Sequence, residues 1–327
     1  MSDRTEIEWT DATWNVVIGC DKVSPGCDNC YAIRTAHRMQ ANPNPKVSGP
    51  YTGTEADGEW TGRVNLVPAR LDMPLRWQKP RRIFVNAQSD LFHDDVPPEF
   101  LEQVFAVMAA TPQHSYQILT KRHARMRSLL SLEFFQMFTQ SEFLRLRLKY
   151  DLDVPFPTWP LPNVWVGVSV ENQKWADIRI PALLDTPAAV RFVSAEPLLG
   201  PIELRPDWGY GPGIDWIIAG GESGSGARPM HPDWPRALRD DRDVVGAAFL
   251  FKQWGEFVPR IPDIPDARTV NDYLVSPKNG DTIRIADVPS SAHLVPATFA
   301  TMSRVGKHRA DRQLDGRTWN EFPGGDR

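Results

Sequence analysis

The chain has 327 residues, 41% of them hydrophobic, which is enough for one large continuous core. Its formal charge of −4 argues against a whole-chain electrostatic grip on nucleic acid and leaves open only a local basic face. No apolar run approaches the roughly 18 residues that a membrane span requires, and Met1 to Trp9 carry no signal-peptide core, so a cytoplasmic protein with no membrane partner is expected.

Strands are expected to alternate with helices along the chain. Asn15-Val-Val-Ile18 reads as a short buried strand running into Gly19-Cys20, followed by a helix from Tyr31 to about Gln40. Residues 42–62, rich in Pro, Gly and Thr, read as a long surface loop. A helix over 68–77 then precedes a strand over 82–86. Pro97-Pro98 opens the next helix, where the first turn has no hydrogen bond for proline to remove, and Leu101, Val104, Phe105 and Met108 keep helical spacing towards Ala110. A strand at 115–119 and a helix at 124–130 follow, then a helical insertion over about 131–162. Further strands are expected at 164–168, 190–194, 215–219 and 247–251, with helices near 175–184 and 234–241.

Seven apolar runs of this kind resemble the buried strands of a parallel sheet with helical crossovers. The expected fold is α/β: a TIM-like βα barrel, complete or partial, over residues 1–255, with a doubly wound open sheet as the alternative. Residues 256–327 read as a small C-terminal extension packed on the barrel, with a short helix and a loop between Arg304 and Phe322. In such folds ligands bind where strands end at their carboxyl termini. Here those ends carry Gly19-Cys20, Asn86 to Asp90, Thr120-Lys121-Arg122, Ser169 to Glu171, Ser194 to Pro197, Gly220 to Gly224 and Lys252 to Trp254. Each also has a plain structural reading, because strand ends meet solvent and Pro197 fixes a turn that Glu196 would cap.

The sharpest signal is the cysteines. Cys20, Cys27 and Cys30 are the only three, spaced C-x6-C-x2-C in the loop 19–32. An odd, bunched set is a poor disulfide framework in a reducing compartment, so metal ligation is expected. Three thiolates leave a coordination position open, on zinc or on one iron of a cubane cluster.

A cysteine loop after the first strand of a βα barrel resembles the radical-SAM arrangement. More closely, the chain resembles an uncharacterised family of phage and bacterial proteins that carry this three-cysteine motif. That resemblance rests on Ile7-Glu-Trp-Thr-Asp-Ala-Thr-Trp14, Phe84-Val-Asn86, Ser89-Asp-Leu-Phe92, Leu119-Thr-Lys-Arg122 and Trp165-Val-Gly-Val-Ser-Val-Glu171. It continues through Phe192-Val-Ser-Ala-Glu-Pro-Leu198, Gly220-Gly-Glu-Ser223, Lys252-Gln-Trp-Gly255 and Leu314-Asp-Gly-Arg-Thr-Trp319. The radical-SAM likeness implies a 4Fe–4S cluster on Cys20, Cys27 and Cys30, S-adenosylmethionine on its free iron, and an external electron donor. A 5′-deoxyadenosyl radical would then act on the substrate, with a nucleobase or nucleotide as a candidate. Gly220, Gly221, Glu222, Ser223, Ser169 and Glu196 are the expected cofactor contacts, and Asp90, Lys121 and Lys252 the expected substrate contacts. This chain departs from the common C-x3-C-x2-C spacing by three residues. It has Asn29 where an aromatic residue usually precedes the third cysteine, and Asn86-Ala-Gln88 where a Gly-Gly-Glu element usually follows the second strand.

The rival expectation is a zinc-binding phage protein that binds or processes nucleic acid without radical chemistry. His37 would supply a fourth ligand. Lys121, Arg122, His123, Arg125 and Arg127, with Arg304, Lys307, His308, Arg309, Arg312 and Arg317, would meet phosphates, and Trp254 would stack on bases. A hydrolase built on Asp90, Glu171, Glu196 and Glu222 would leave the cysteines without a role. Walker, H-E-x-x-H and G-x-S-x-G motifs are absent.

Overall fold

Short apolar runs, buried along most of their length, build the central sheet. Its strands are β1 (Ala12–Trp14), β2 (Arg82–Val85), β3 (Ser115–Thr120), β4 (Val164–Ser169), β5 (Val190–Ala195), β6 (Trp216–Gly220) and β7 (Ala248–Gln253). The computed structural model describes residues 5–205, 213–260, 272–287 and 298–324. Strand order in the sheet follows sequence order, β1 to β7. That is the order of a partial βα barrel; a doubly wound sheet would reverse at a switch point. The pairs β1–β2, β2–β3, β3–β4 and β6–β7 are parallel. Between strands run α1 (Tyr31–Gln40), α2 (Pro98–Ala109), α3 (His123–Leu130), α4 (Glu133–Tyr150), α5 (Gln173–Leu184) and α6 (Asp233–Val245). No described helix is long and apolar enough to cross a membrane.

The chain divides into two compact units, Met1–Val168 with Arg179–Phe192, and Ser169–Ile178 with Val193–Arg327. In the first unit the opening strand lies earlier than expected. Ala12–Trp14 joins the sheet, whereas Val17–Ile18 pairs antiparallel with Asn65–Leu66. Asn86 explains the shift: in a left-handed conformation (φ 57°), its buried amide oxygen accepts from the backbone N–H of Val16 at 3.0 Å and Val17 at 3.2 Å. Those donors are thereby removed from the ladder. The helix expected over 68–77 is instead two 3-10 turns, Pro68–Arg70 and Pro74–Arg76, since Pro74 lacks the N–H a continuous helix needs. The expected loop 42–62 contains two helical turns and a hairpin pairing Glu55–Ala56 with Glu59–Trp60. Its Tyr51 packs with Ile18, Ala36 and Val67.

The insertion is α4 and its return segment. Phe135, Thr139 and Phe143 are its buried residues. Phe105 of α2 meets Phe135 edge-on at 5.4 Å between ring centres, Trp159 lies 6.0 Å from Phe135, and Phe143 lies 5.2 Å from Phe156. Near the start of β3, His114 is buried with Nε2 3.2 Å from the Pro74 carbonyl oxygen.

In the second unit, α6 accompanies β6 and β7. The strands β8 (Phe257–Pro259), β9 (Asp272–Val275), β10 (Thr282–Arg284) and β11 (Ala300–Arg304) form an antiparallel sheet in the order β8-β11-β9-β10. The tail forms a single helical turn, Lys307–Ala310, and a hairpin of Gln313–Leu314 with Arg317–Thr318. Asn320 bridges Leu250 of β7, and Trp216 Nε1 donates to the Glu321 carbonyl at 2.8 Å. The extension expected over 256–327 lies partly outside the described residues, at 261–271, 288–297 and 325–327.

A pH dependence of stability follows from two buried histidines, His114 and His231, and the half-buried His123. Burial pushes His114, His123 and His231 below their ordinary value of 6.5. Unfolded, they take up protons as the pH falls through 6.5, while the folded chain still excludes them. Their contribution is therefore complete above 6.5 and is lost on acidification towards the lower folded values. The urea midpoint is expected to fall between neutrality and about pH 5, and His114→Gln to flatten that slope. A midpoint that rose on acidification would refute this.

Candidate metal centre

The cysteine loop is held at both ends by backbone geometry. Gly19 has φ +98°, and a Cβ there would stand 2.1 Å from the Arg63 carbonyl oxygen, so only glycine fits. Ser89 Oγ donates to the Val17 carbonyl at 2.8 Å, tying the loop's start to the end of β2. A 3-10 turn, Pro25–Cys27, opens with proline at its first position, and Cys27 N–H donates to Ser24 O at 2.8 Å. Cys30 is the N-cap of α1.

Around Cys20 lies a compact set of charged groups. Arg122 Nη1 donates to Cys20 Sγ at 3.8 Å and sits 3.3 Å from Asp90 Oδ2, while Nη2 pairs with the Asp21 carboxylate. Asp90 is the hub. Its Oδ1 accepts from Thr120 Oγ1 at 2.7 Å and Phe92 N–H at 3.0 Å, and its Oδ2 accepts from Lys121 N–H at 2.9 Å. His93 is buried and its Nδ1 accepts from Asp95 N–H at 3.2 Å, so Nε2 carries the proton of the neutral ring. That Nε2 is 3.1 Å from Asp21 Oδ1, although out of hydrogen-bond alignment. Asp90, expected as a substrate contact, thus holds the Cys20 neighbourhood together. Sequence reasoning missed Asp21 and His93, and it read Arg122 as a phosphate contact. The only signals were that Asp21 follows the first cysteine and His93 follows the Ser89-Asp-Leu-Phe92 stretch.

All three cysteines are free and partly buried. Burial and then the charge of Asp90 push the Cys20 thiol up to about 12, with Arg122 opposing. Burial likewise raises Cys30, against the Ala32 N–H and the charge of Lys121. Cys27 is near enough for its charge to act on both. Among the described residues no three His, Cys, Asp or Glu side chains stand as a ready ligand set. His37, the fourth ligand of the zinc expectation, pairs through Nδ1 with buried Glu55 Oε2 at 3.0 Å.

The other expected site residues belong to the second unit. Glu196 takes Lys252 Nζ at 2.7 and 3.0 Å and Gln253 Nε2 at 3.3 Å, and its carbonyl lies 3.5 Å from Ser169 Oγ. Lys252 is thereby committed to a carboxylate. Glu222 is closed by Arg228, whose Nη2 donates to Oε1 at 2.6 Å while its Nε and backbone N–H donate to Oε2 at 2.9 and 2.8 Å. Ser223 is partly buried in the same turn.

The family model described as "Protein of unknown function (DUF5131)" matches residues 4–323. The chain belongs to this family. No curated protein and no solved structure matches it.

In this DUF5131 chain the close approach of the backbone requires glycine at Gly221 but not at Gly220. A Cβ on Gly221 would lie 2.1 Å from the Trp254 carbonyl oxygen, whereas one on Gly220 meets only ordinary contacts, the nearest being Lys252 Cβ at 3.4 Å. Gly221→Ala is expected to destabilise by about 2–3 kcal/mol and Gly220→Ala by about 0.5 kcal/mol or less in denaturant melts. Equal costs would refute this packing account.

The basic side chains are largely engaged within the protein. Arg125 donates to the His93 carbonyl and, at 2.5 Å, to the Val96 carbonyl; Arg127 pairs with Asp185 at 3.1 Å. In the tail, Arg304 donates to the carbonyls of Gly224 and Ser225, Arg309 to that of Val305 and Arg312 to Asn320 Oδ1, and Arg317 lies 3.9 Å over the Trp319 ring. Trp254, expected to stack on bases, is buried and donates to the Gln313 carbonyl at 2.8 Å.

Proposed function

We propose that the DUF5131 chain binds a 4Fe–4S cluster through Cys20, Cys27 and Cys30 and acts as a radical-SAM-like enzyme on a TIM-like, partial βα barrel. The observation that carries this reading is the donor set: three free thiols in the loop that follows β1, with Cys27 acting electrostatically on the other two. Its chemistry fits the cluster. Three thiolates leave one iron open, and Arg122 and Lys121 supply positive charge beside a group that becomes anionic on binding. The ligand set is not preformed, so loading has to draw the thiols together and order the loop around the metal.

When bound, such a cluster passes an electron from an external donor to S-adenosylmethionine. The chain's own part is to hold and tune the ligands. Asp90 and Asp21 fix Arg122 beside Cys20, where the guanidinium favours thiolate over thiol. Gly19 and the Pro25 turn set the loop's path, and the α1 N-terminus offers backbone N–H groups to the Cys30 sulfur.

The test is anaerobic purification and reconstitution with iron and sulfide, followed by dithionite and S-adenosylmethionine. Iron with acid-labile sulfide and formation of 5′-deoxyadenosine are expected. Zinc without sulfide would overturn the cluster, and an intact cluster that leaves S-adenosylmethionine uncleaved would overturn the enzymatic reading.

A further inference from the structure

Helix α1 leaves the cysteine loop with a basic, aromatic outer face. Its buried residues are Ala32, Ile33 and Ala36, and Tyr31, Arg34, Thr35 and Arg38 follow one another at helical steps on the opposite side. The helix contains no acidic residue. Arg34 and Arg38 are exposed, and among the described residues neither forms an ion pair. Arg122, Arg125 and Arg127, by contrast, are taken up by carboxylates or carbonyls of the protein. Four helical residues set Arg34 and Arg38 about 6 Å apart along the axis, so the pair can follow successive phosphates of one strand.

Tyr31 supplies a second, independent observation. It directly follows Cys30, is 54% exposed, and donates its hydroxyl to the Ala87 carbonyl at 2.5 Å. That bond holds the ring in place while much of it stays in water, an arrangement that suits stacking on a planar base. A groove of about 740 Å³ opens beside the same face, between α1 and the Glu55–Gly58 turn. Arg34 lines it, Ile33 and Ala56 give it apolar surface, and the turn contributes Asp57 as an exposed acid. Positive charge and a fixed ring together fit a nucleic-acid strand. An anionic bilayer would call for exposed aliphatic side chains, and the stripe from Tyr31 to Arg38 presents none. A duplex keeps its bases stacked on one another, so the ring favours a single strand.

We propose that the outer face of α1 binds single-stranded nucleic acid, with Arg34 and Arg38 on phosphates and Tyr31 stacked on a base beside the cysteine loop. The strand's place as substrate of that loop rests on the cluster reading; binding itself does not, and is measured on the metal-free full chain. Fluorescence anisotropy with a labelled oligodeoxythymidine of about 15 nucleotides is the test. Saturable binding that weakens with salt is expected. Arg34→Glu and Arg38→Glu should each weaken it about tenfold or more and make the log–log salt slope shallower by about 0.7. Tyr31→Ala should weaken it about tenfold with the slope unchanged. Lys79→Glu, an equal charge change at an exposed position before β2, should alter affinity less than about twofold. A duplex of the same length should compete about tenfold less well. The substituted side chains are all exposed, so circular dichroism and thermal melts should stay close to the parent. No oligonucleotide binding at low salt, equal losses for Lys79→Glu and Arg34→Glu, normal binding by Tyr31→Ala, or a preference for duplex would overturn the proposal. So would binding of anionic lipid vesicles through Arg34 and Arg38 in place of the oligonucleotide. A chain that binds the oligonucleotide yet assembles no cluster would uphold strand binding and remove the radical chemistry, whereas a loaded chain that binds no strand would remove strand binding alone.

Discussion

Alanine at any one of Cys20, Cys27 or Cys30 is expected to abolish cluster formation, with iron and sulfide content falling at least about a hundredfold after anaerobic reconstitution. The effect is large because the loop offers three thiols and no ready substitute. His37 is paired with Glu55, and no other described trio of ligating side chains stands nearby. Loss of one thiolate leaves two, too few to hold a cubane. The apo variants should melt close to the parent, since none of the three thiols belongs to the buried core. Loading should also depend steeply on pH. With the Cys20 thiol pushed up to about 12, it is protonated at neutrality and must release that proton to bind metal. Apparent affinity is expected to rise about tenfold per pH unit for each proton released. Absorption titrations at several pH values measure this slope; a flat profile would contradict the protonation state assigned to Cys20.

Asp90→Ala is expected to cost about 3–5 kcal/mol in urea unfolding. The carboxylate is buried and satisfies the Thr120 hydroxyl, the Phe92 and Lys121 N–H groups and the Arg122 guanidinium together. Its removal leaves the Thr120 hydroxyl and two backbone donors without this acceptor and takes one of the two carboxylates from Arg122, which keeps Asp21, so the loss exceeds that of a single hydrogen bond. Asp90→Asn keeps an acceptor for part of this set and should lose about 1–3 kcal/mol. If Asp90→Ala costs under about 1 kcal/mol, Asp90 is a surface group and its assignment as the hub fails.

Local patterning carries far in this protein where burial is uniform. The strands β2 to β7 are near-continuous apolar runs, and each was legible within a residue or two because a strand buried on both faces has no polar alternation to blur it. The first strand was misread. Val16 to Ile18 are as apolar as Ala12 to Trp14, and the choice between them is made by the Asn86 side chain, about seventy residues away. The tail was half legible: its hairpin and its bridge to Leu250 rest on pairings that no periodicity announces.

The site divides in the same way. Three bunched cysteines and the absence of any other were plain in the sequence, and a bunched odd set points to metal ligation whatever the fold. The partners around Cys20 were not legible. Asp21, Asp90, His93 and Arg122 come from three separate loops, and only the order of β1, β2 and β3 brings those loops to one place. Residue type did not show that Asp90 and Glu222 each accept several hydrogen bonds within the protein. The glycines followed the same rule: Gly221 is required because Trp254 passes within contact distance, a fact of strand packing between β6 and β7. Sequence by itself determined which residue types are present and how the strands and helices alternate, because these depend on local composition and spacing. Tertiary structure alone decided which polar groups meet one another, because that depends on what each strand end meets across the sheet.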